Sequence, residues 1–227
     1  MIYPKFIKEY SCIGIPAPSS GAYNQEKINQ MLNSKKNLES LNVQKVVYVT
    51  ASSLNICKGN STHYESIGTL EKYESVRVLG EYDDWYFIMT NEYTFGFINK
   101  QYTKDMENNY VIVDKSEQRL YLYNNDELLF VTPVTTGKDK TPSDTGLFKI
   151  YDRTQGRYLK GEDYNVWVDY WMAYNGGEGL HDASWRYVFG TESYHTGGSH
   201  GCINIPPYLA DDIYHNTSFE IKVLVHK

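Results

Sequence analysis

Short apolar runs separated by turn residues fill the part of the chain between residues 43 and 105. The runs lie at residues 46–49, 76–79, 85–89 and 95–98. Several short strands at regular spacing are typical of a small β-barrel. The pattern therefore predicts a β-rich domain over residues 43–105, with a polar linker at residues 103–109.

The C-terminal half returns to the strand pattern from residue 110 onward. Apolar runs at residues 111–113 and 120–123 predict two strands, and the run at residues 219–225 predicts a closing strand. Pro206 and Pro207 favour the start of one clear helix through residues 208–215, because proline fits the first helical turn. A second, mostly β domain is therefore expected over residues 106–227.

Composition narrows the classes of function. The formal charge of −6 and the lack of any run of lysine and arginine argue against a nucleic-acid partner. No stretch of the sequence is long and apolar enough to span a membrane, and no secretory signal is visible at the N-terminus. Three cysteines, Cys12, Cys57 and Cys202, are too few and odd in number for a disulfide framework.

The polar neighbours of Cys202 suggest chemistry rather than packing. Cys202 follows Ser199, His200 and Gly201, which are poor neighbours for a buried structural thiol, the usual role of a free cysteine. A thiol becomes a good nucleophile when a base takes its proton and backbone N–H groups hold the oxyanion. We therefore interpret Cys202 as a nucleophile, with the N–H groups of Gly201 and Cys202 as oxyanion donors.

Two histidines compete for the role of base. His200 stands two residues before Cys202, so both side chains share a face in an extended segment, while His181 lies upstream. Ser199 and Asn204 could support the site or serve as turn or cap residues. His181, His195, His200 and Cys202 are also zinc-type ligands, but their spacing matches no common zinc motif, so we expect no metal.

These segments resemble the YkuD-type L,D-transpeptidase catalytic domain. The resemblance is carried by His181 and the run Ser-His-Gly-Cys-Ile-Asn at residues 199–204. Upstream, it is carried by Thr-Gly at 136–137, Thr-Pro-Ser at 141–143 and Thr-Gly-Leu-Phe-Lys-Ile at 145–150. It runs from about residue 110 to the C-terminus, and its motifs stand in the family's order.

The resemblance implies roles for the site residues. His181 would be the base, His200 would shape the pocket and polarise the acyl carbonyl, and Ser199, Gly201 and Asn204 would support the site. In the family, the carbonyl after the upstream histidine often orients that ring; here that residue is Asp182, whose carboxylate could serve instead. No organic cofactor or metal is implied.

The resemblance also implies a substrate, the peptide stems of peptidoglycan. Cys202 would attack the carbonyl of the third residue of a donor tetrapeptide, the terminal D-residue would leave, and an amine of a neighbouring stem would take the acyl group. With water as acceptor, the same site would be an L,D-carboxypeptidase. The remaining alternatives are a wall-binding protein with an inactive catalytic domain and a thiol protease acting on all-L peptides.

Several further expectations follow for substrate and location. Trp185, Tyr170 and Arg186 are candidate substrate-binding residues, although packing or a surface ion pair would explain them equally. A carbapenem should acylate Cys202, because its ring-opened form mimics the donor. By resemblance, the protein would work at the cell wall or outside the cell, and it contains no membrane span.

Residues 43–105 resemble a bacterial Src-homology-3-like domain. The resemblance is carried by residues 51–56, 67–70, 85–86 and 96–98 together with Gly59, whereas Cys57, Asn60 and Glu74 depart from the family's usual residues. A domain of this kind would target the catalytic domain to the wall. The fold class expected for the chain is therefore mostly β, with this small barrel followed by the catalytic domain.

Residues 1–42 predict a short α/β appendage of strand, loop and helix. Its opening, from residues 2–5 to residues 17–20, resembles that of the serine L,D-carboxypeptidase family, but the nucleophile of that family lies beyond this length. No activity is carried over. We interpret the appendage as the trace of a gene fusion, and we expect its deletion to leave the catalytic rate unchanged.

Overall fold

The computed structural model describes residues 43–92, 94–161, 164–192 and 194–227. These ranges contain sixteen strands in three sheets, two α-helices and one 3-10 turn. The predicted appendage at residues 1–42, with Cys12, lies outside them. The expectation of a mostly β fold is confirmed.

The first sheet is formed by residues 43–105 and is antiparallel throughout. Its strands follow the order β3-β2-β6-β5-β4-β1-β7. Their bounds are β1 (Lys45–Val49), β2 (Ser53–Cys57), β3 (Ser66–Glu71), β4 (Ser75–Tyr82), β5 (Trp85–Met89), β6 (Phe95–Asn99) and β7 (Thr103–Asp105). Side chains such as Val47, Ile88 and Ile98 are fully buried on one face. All four strands predicted here are confirmed.

Two details of this region differ from the prediction. Among the described residues, the edge strands β3 and β7 do not pair with each other, so the sheet is not a closed barrel. The predicted linker is wrong at its start, because residues 103–105 hydrogen-bond to the open edge of β1 as strand β7. Polar side chains suit an edge strand, which keeps one side in water. Whether this sheet is a Src-homology-3-like domain stays a prediction.

The first sheet packs directly on the part of the chain that follows it. Val46 and Tyr48 of β1 share a buried cluster with Met106, Tyr110 and Leu224. Met106, which lies within the predicted linker, is 2% exposed. The boundary proposed at residue 105 therefore falls inside a shared core, and the division into domains stays a prediction.

The second sheet contains the C-terminal strand in its interior. It consists of β8 (Tyr110–Asp114), β9 (Arg119–Asn124), β10 (Glu127–Pro133), β11 (Gly146–Lys149) and β16 (Lys222–His226), in the order β10-β9-β8-β16-β11. The strands predicted at 111–113 and 120–123 are confirmed. The closing strand begins at Lys222 rather than at residue 219, because Glu220 turns the chain with φ 65° and Phe219 is exposed.

The third sheet carries the candidate site. It consists of β12 (Asp152–Lys160), β13 (Asn165–Asn175), β14 (Glu178–Asp182) and β15 (Ile203–Ile205), and the helices are α1 (Tyr194–Gly197) and α2 (Pro207–His215). The predicted helix is confirmed and starts one residue earlier, at Pro207. Fully buried residues from this sheet, from α2 and from the second sheet form one core, among them Met172, Leu180, Ile203, Ile213 and Val223. In the described ranges, no helix has the length and apolarity needed to cross a membrane.

Candidate active site

The parallel pair of β14 and β15 brings His181 and Cys202 together. His181 stands in register with Asn204, and Cys202 precedes Asn204 by two residues. Because alternate residues of an extended segment share a face, the thiol comes to the same side of the sheet as the imidazole. Both side chains line a pocket of about 190 Å³. The structure therefore joins the two residues that the sequence singled out first.

His181 is buried, and a backbone hydrogen bond fixes its ring. Its side chain is 3% exposed, and its Nδ1 donates to the Asp182 carbonyl oxygen at 2.7 Å. The carboxylate of Asp182 instead accepts the Tyr170 N–H at 2.8 Å. The backbone carbonyl of Asp182 therefore orients the ring. The sequence had left open whether this carbonyl or the Asp182 carboxylate would do so. This bond leaves the lone pair on Nε2.

The surroundings of His181 suppress its protonated form. Its ring lies between Trp171 and Trp185, with both centroid distances at 5.9 Å. Burial lowers the pKa of His181 to about 4, and the bond to the Asp182 carbonyl opposes this only in part. At neutral pH the imidazole is ready to accept a proton.

Cys202 rests as a thiol rather than as a thiolate. Burial raises its pKa to about 11, a backbone hydrogen bond from Gly179 lowers it, and the charge of Glu178 raises it. The sulfur donates to the Gly177 carbonyl oxygen at 3.7 Å. Proton transfer to His181 therefore requires the thiol to leave this carbonyl.

A tight turn leads into Cys202. Gly201 has φ +116°, a conformation that favours glycine, and a Cβ there would lie 2.8 Å from Glu178 Oε1. Ser199 Oγ accepts the Gly201 N–H at 3.1 Å and donates to the Cys202 carbonyl. The Gly201 N–H, expected as an oxyanion donor, is thus already occupied, because the serine hydroxyl beside it accepts it. The Cys202 N–H stays the predicted donor.

Ser143 anchors this turn, and sequence reasoning gave it no role beyond its place in a motif. The side chain is 2% exposed. Its hydroxyl donates to the Gly201 carbonyl at 2.6 Å and accepts the Gly137 N–H at 2.9 Å. One hydroxyl therefore connects two loops at the residue before Cys202. A serine followed by charged and turn residues was the signal available in the sequence.

Replacing Ser143 with alanine is expected to lower the free energy of unfolding by about 1–3 kcal/mol, because the Gly201 carbonyl and the Gly137 N–H lose their buried partner. Urea unfolding of the full chain measures the change. Ser66→Ala is the matched control, since Ser66 also donates to a carbonyl, that of Gly68, but on an exposed strand. Equal losses in both variants would contradict a special role for Ser143.

His200 lies at the rim of the same pocket. It is exposed, its Nε2 accepts from Lys138 Nζ at 3.1 Å, and its ring stacks on Tyr164 at 5.3 Å. A lysine ammonium can only donate, so this bond engages the lone pair that Nε2 would need as a base. This contact agrees with the pocket-shaping role expected for His200.

Asn204 is buried beside the pocket. Its backbone pairs with Thr135, donating at 2.9 Å and accepting at 3.0 Å. Its Oδ1 is buried and has no hydrogen-bond partner among the described residues. Strand β15 therefore fixes the backbone of Asn204 at the pocket, and its role in supporting the site stays a prediction.

Two of the three predicted substrate-binding residues line the pocket. Trp185 is 42% exposed and packs on His181, and Arg186 lines the same space. Tyr170 does not line it, because its hydroxyl donates to Asp211 Oδ1 at 2.6 Å and its ring packs on Tyr214. Tyr170 therefore contacts helix α2 instead of the pocket, and its role in substrate binding stays a prediction.

The remaining histidine of this region has a separate role. His195 is exposed on α1, with Nδ1 at 2.7 Å from Asp139 and Nε2 at 3.0 Å from Glu192. The hydrogen bond to Asp139 raises the pKa of His195. Within the described ranges, no three or more His, Cys, Asp or Glu side chains are arranged to hold a metal ion.

Comparison with known proteins identifies the family. The family model described as "L,D-transpeptidase catalytic domain" (YkuD) matches residues 108–225, more than half of the chain. No curated protein matches. Among solved structures, the NMR structure of an Enterococcus faecium L,D-transpeptidase catalytic domain is 31% identical, covering 53% of this chain and 98% of that one with a TM-score of 0.49.

Two further structures come from the same organism. The same kind of domain acylated by ertapenem is 33% identical, covers 53% of this chain and 98% of that one, and has a TM-score of 0.49. A crystal structure of an E. faecium L,D-transpeptidase with its cysteine mutated to serine is 21% identical, covers 90% of this chain and 86% of that one, and has a TM-score of 0.53. On the match of the family model, this chain belongs to the YkuD family of L,D-transpeptidase catalytic domains.

Proposed function

We propose that this protein cross-links peptidoglycan stems through an acyl-enzyme on Cys202. The observation that carries the proposal is that His181 and Cys202 line the same pocket. The imidazole of His181 is neutral and its ring is fixed by the hydrogen bond to the Asp182 carbonyl, while Cys202 is a protonated thiol. A neutral base beside a neutral thiol is the starting state for nucleophilic attack coupled to proton transfer.

The first half-reaction makes the thioester. The Cys202 thiol passes its proton to His181 Nε2 while Sγ bonds to the carbonyl carbon of the third stem residue. The C–N bond to the terminal D-residue then breaks, and His181 returns the proton to the departing amine. The Cys202 N–H stabilises the oxyanion, since a donor fixed by the backbone needs no reorganisation as charge develops.

The second half-reaction transfers the acyl group. The amine of a neighbouring stem attacks the thioester carbonyl and gives a proton to His181 Nε2. The C–S bond breaks, and the sulfur takes that proton back. Trp185 and Arg186 line the pocket and would contact the stem. No step in this sequence calls for a metal or an organic cofactor.

Mass spectrometry of the products tests the proposal. The full chain is incubated with a tetrapeptide stem and an amine acceptor, and the expected product has the summed mass of both minus the mass of the released free D-amino acid. A tripeptide alone would make the protein an L,D-carboxypeptidase. Cleavage of an all-L peptide would indicate a thiol protease, and no reaction with any substrate would leave an inactive wall-binding protein.

We also propose that residues 43–105 hold the enzyme on the wall. The sheet of this region packs beside the catalytic part, and a central group of its charged side chains is paired internally in salt bridges. The Cys202→Ala full chain, which cannot form a covalent link to a stem through Cys202, should co-sediment with purified peptidoglycan. If this variant does not co-sediment with peptidoglycan, the proposal that residues 43–105 hold the enzyme on the wall is wrong.

A further inference from the structure

Arg186 is a cation at the nucleophile pocket and has no acidic partner among the described residues. It lines the pocket half-buried, and its Nη2 donates to the Gly197 carbonyl oxygen. Its Nε is buried and has no hydrogen-bond partner in the same ranges. Burial lowers the pKa of the guanidinium. Such a group is costly to desolvate unless an anion or a full set of acceptors compensates it.

Lys138 is a second cation beside residues 197–200, the segment that leads to Cys202. Its Nζ lies 3.1 Å from His200 Nε2, and its backbone N–H donates to the Ser199 carbonyl at 3.1 Å. The neighbouring Asp139 pairs with His195. Within the described ranges, no carboxylate stands within ion-pair distance of either Lys138 or Arg186.

The two cations contact the segment that leads to Cys202 at different points. Arg186 binds the Gly197 carbonyl and Lys138 binds the His200 ring, so both charges face residues 197–200. The chain as a whole carries a net charge of −6. A local positive site in an acidic protein, next to a pocket of about 190 Å³, favours an anionic group on a small part of a ligand.

We infer that Arg186 and Lys138 form a carboxylate subsite for the terminal residue that leaves the donor stem. This inference rests on the proposed function. The last residue of any tetrapeptide donor carries a free carboxylate, one residue beyond the carbonyl that Cys202 attacks. A guanidinium suits this group because its fork of N–H donors matches a carboxylate, whereas the ammonium adds a point charge.

The subsite makes the enzyme recognise the free carboxylate at the end of the stem. A stem that continues for another residue, or that ends in a neutral carboxamide, offers these cations no carboxylate on the residue that leaves. Binding of the leaving residue would then lose its charge-assisted hydrogen bonds. Arg186 and Lys138 are specificity-determining residues in this scheme, and the chemistry itself stays with Cys202 and His181.

The test compares a tetrapeptide acid with the same tetrapeptide ending in a carboxamide, using the full chain and measuring kcat/KM for release of the last residue. The wild type should prefer the acid by roughly 10- to 100-fold, as expected for hydrogen bonds to a charged group. Arg186→Gln should remove most of this preference, and Lys138→Gln a smaller part. Lys140→Gln, an exposed lysine in the same loop, is the matched control.

The ratio of acid to amide separates recognition from general damage, since a loss of folding lowers both rates together. Arg186→Lys keeps a charge and should retain part of the preference. A wild type that processes both peptides equally would overturn the subsite and leave the transpeptidase proposal standing. An unchanged wild-type ratio in the double variant of Arg186→Gln and Lys138→Gln would overturn the subsite as well. A wild type that processes neither peptide would contradict the proposed function itself.

Discussion

A Cys202→Ala protein is expected to lose covalent labelling by a carbapenem completely, while the wild type gains the mass of one ring-opened drug molecule. The reason is the combination of a half-buried thiol and a neutral imidazole in one pocket, which lets the sulfur attack a strained acyl group while His181 takes its proton. Intact mass spectrometry of both proteins after the same incubation measures the effect.

Cys57→Ala is the matched control for this experiment. Cys57 is 5% exposed in the first sheet, and burial raises the pKa of its thiol. Cys57 does not line the pocket that contains His181, and a buried thiol whose pKa is raised in this way stays unreactive. Labelling should therefore be unchanged in Cys57→Ala. An adduct that persists in Cys202→Ala, or that maps to Cys57 or Cys12, would contradict the assignment.

Local pattern was enough to predict many of the strands. Residues 85–89 form β5 with the predicted bounds, because a compact apolar run between turn residues has few other ways to be buried. The helix that begins at Pro207 could be predicted equally well, since proline is common in the first turn of a helix. Both signals depend only on neighbours along the chain.

The long hairpin of β12 and β13 was not predicted from the local sequence pattern. None of the nine residues of β12 is fully buried, and no apolar run marks them. Gly156, with φ +67°, also interrupts the pairing with β13. The strand is specified by its partner β13, and a pairing of this kind becomes visible only in three dimensions.

The residues of the candidate site also fall into two groups: those that the local sequence indicates and those that only the folded structure shows. His181 and Cys202 were accessible because their residue types carry chemistry and their flanks resemble a known family. Ser143 was given no role, although it contacts Gly201 across 58 positions of the chain. Tyr170 was placed in the site because aromatic residues crowd around His181 in sequence, whereas the strand turns its hydroxyl towards α2. Contacts between distant segments decide such roles.

Replacing His181 with alanine should slow acylation of Cys202 by roughly a hundredfold or more, the range expected for the loss of a general base. His200→Ala should also slow the reaction, through the shape of the pocket and the loss of the Lys138 and Tyr164 contacts. Stopped-flow measurement of carbapenem acylation, by the loss of drug absorbance, gives both rates.

The pH dependence separates the two histidines. Burial lowers the pKa of His181 to about 4, so acidification removes the base only as the pH falls through that value. Wild-type acylation should stay nearly level from neutral pH to about pH 5, fall to roughly half near pH 4, and fall about tenfold for each further pH unit only below that value. His200→Ala should keep this acid limb at a lower plateau, whereas His181→Ala should lose it.

The lowered pKa of His181 also makes the folding stability depend on pH, so the experiment must control for unfolding. The unfolded chain protonates histidine near pH 6.5, above the folded value of about 4 for His181, so the unfolded state binds more protons between these two values. Stability therefore falls as the pH drops through this window, and circular dichroism at each pH must show a folded protein. If His181→Ala acylates near the wild-type rate while His200→Ala is inactive, the base is His200 and the neutral imidazole on β14 has a structural role.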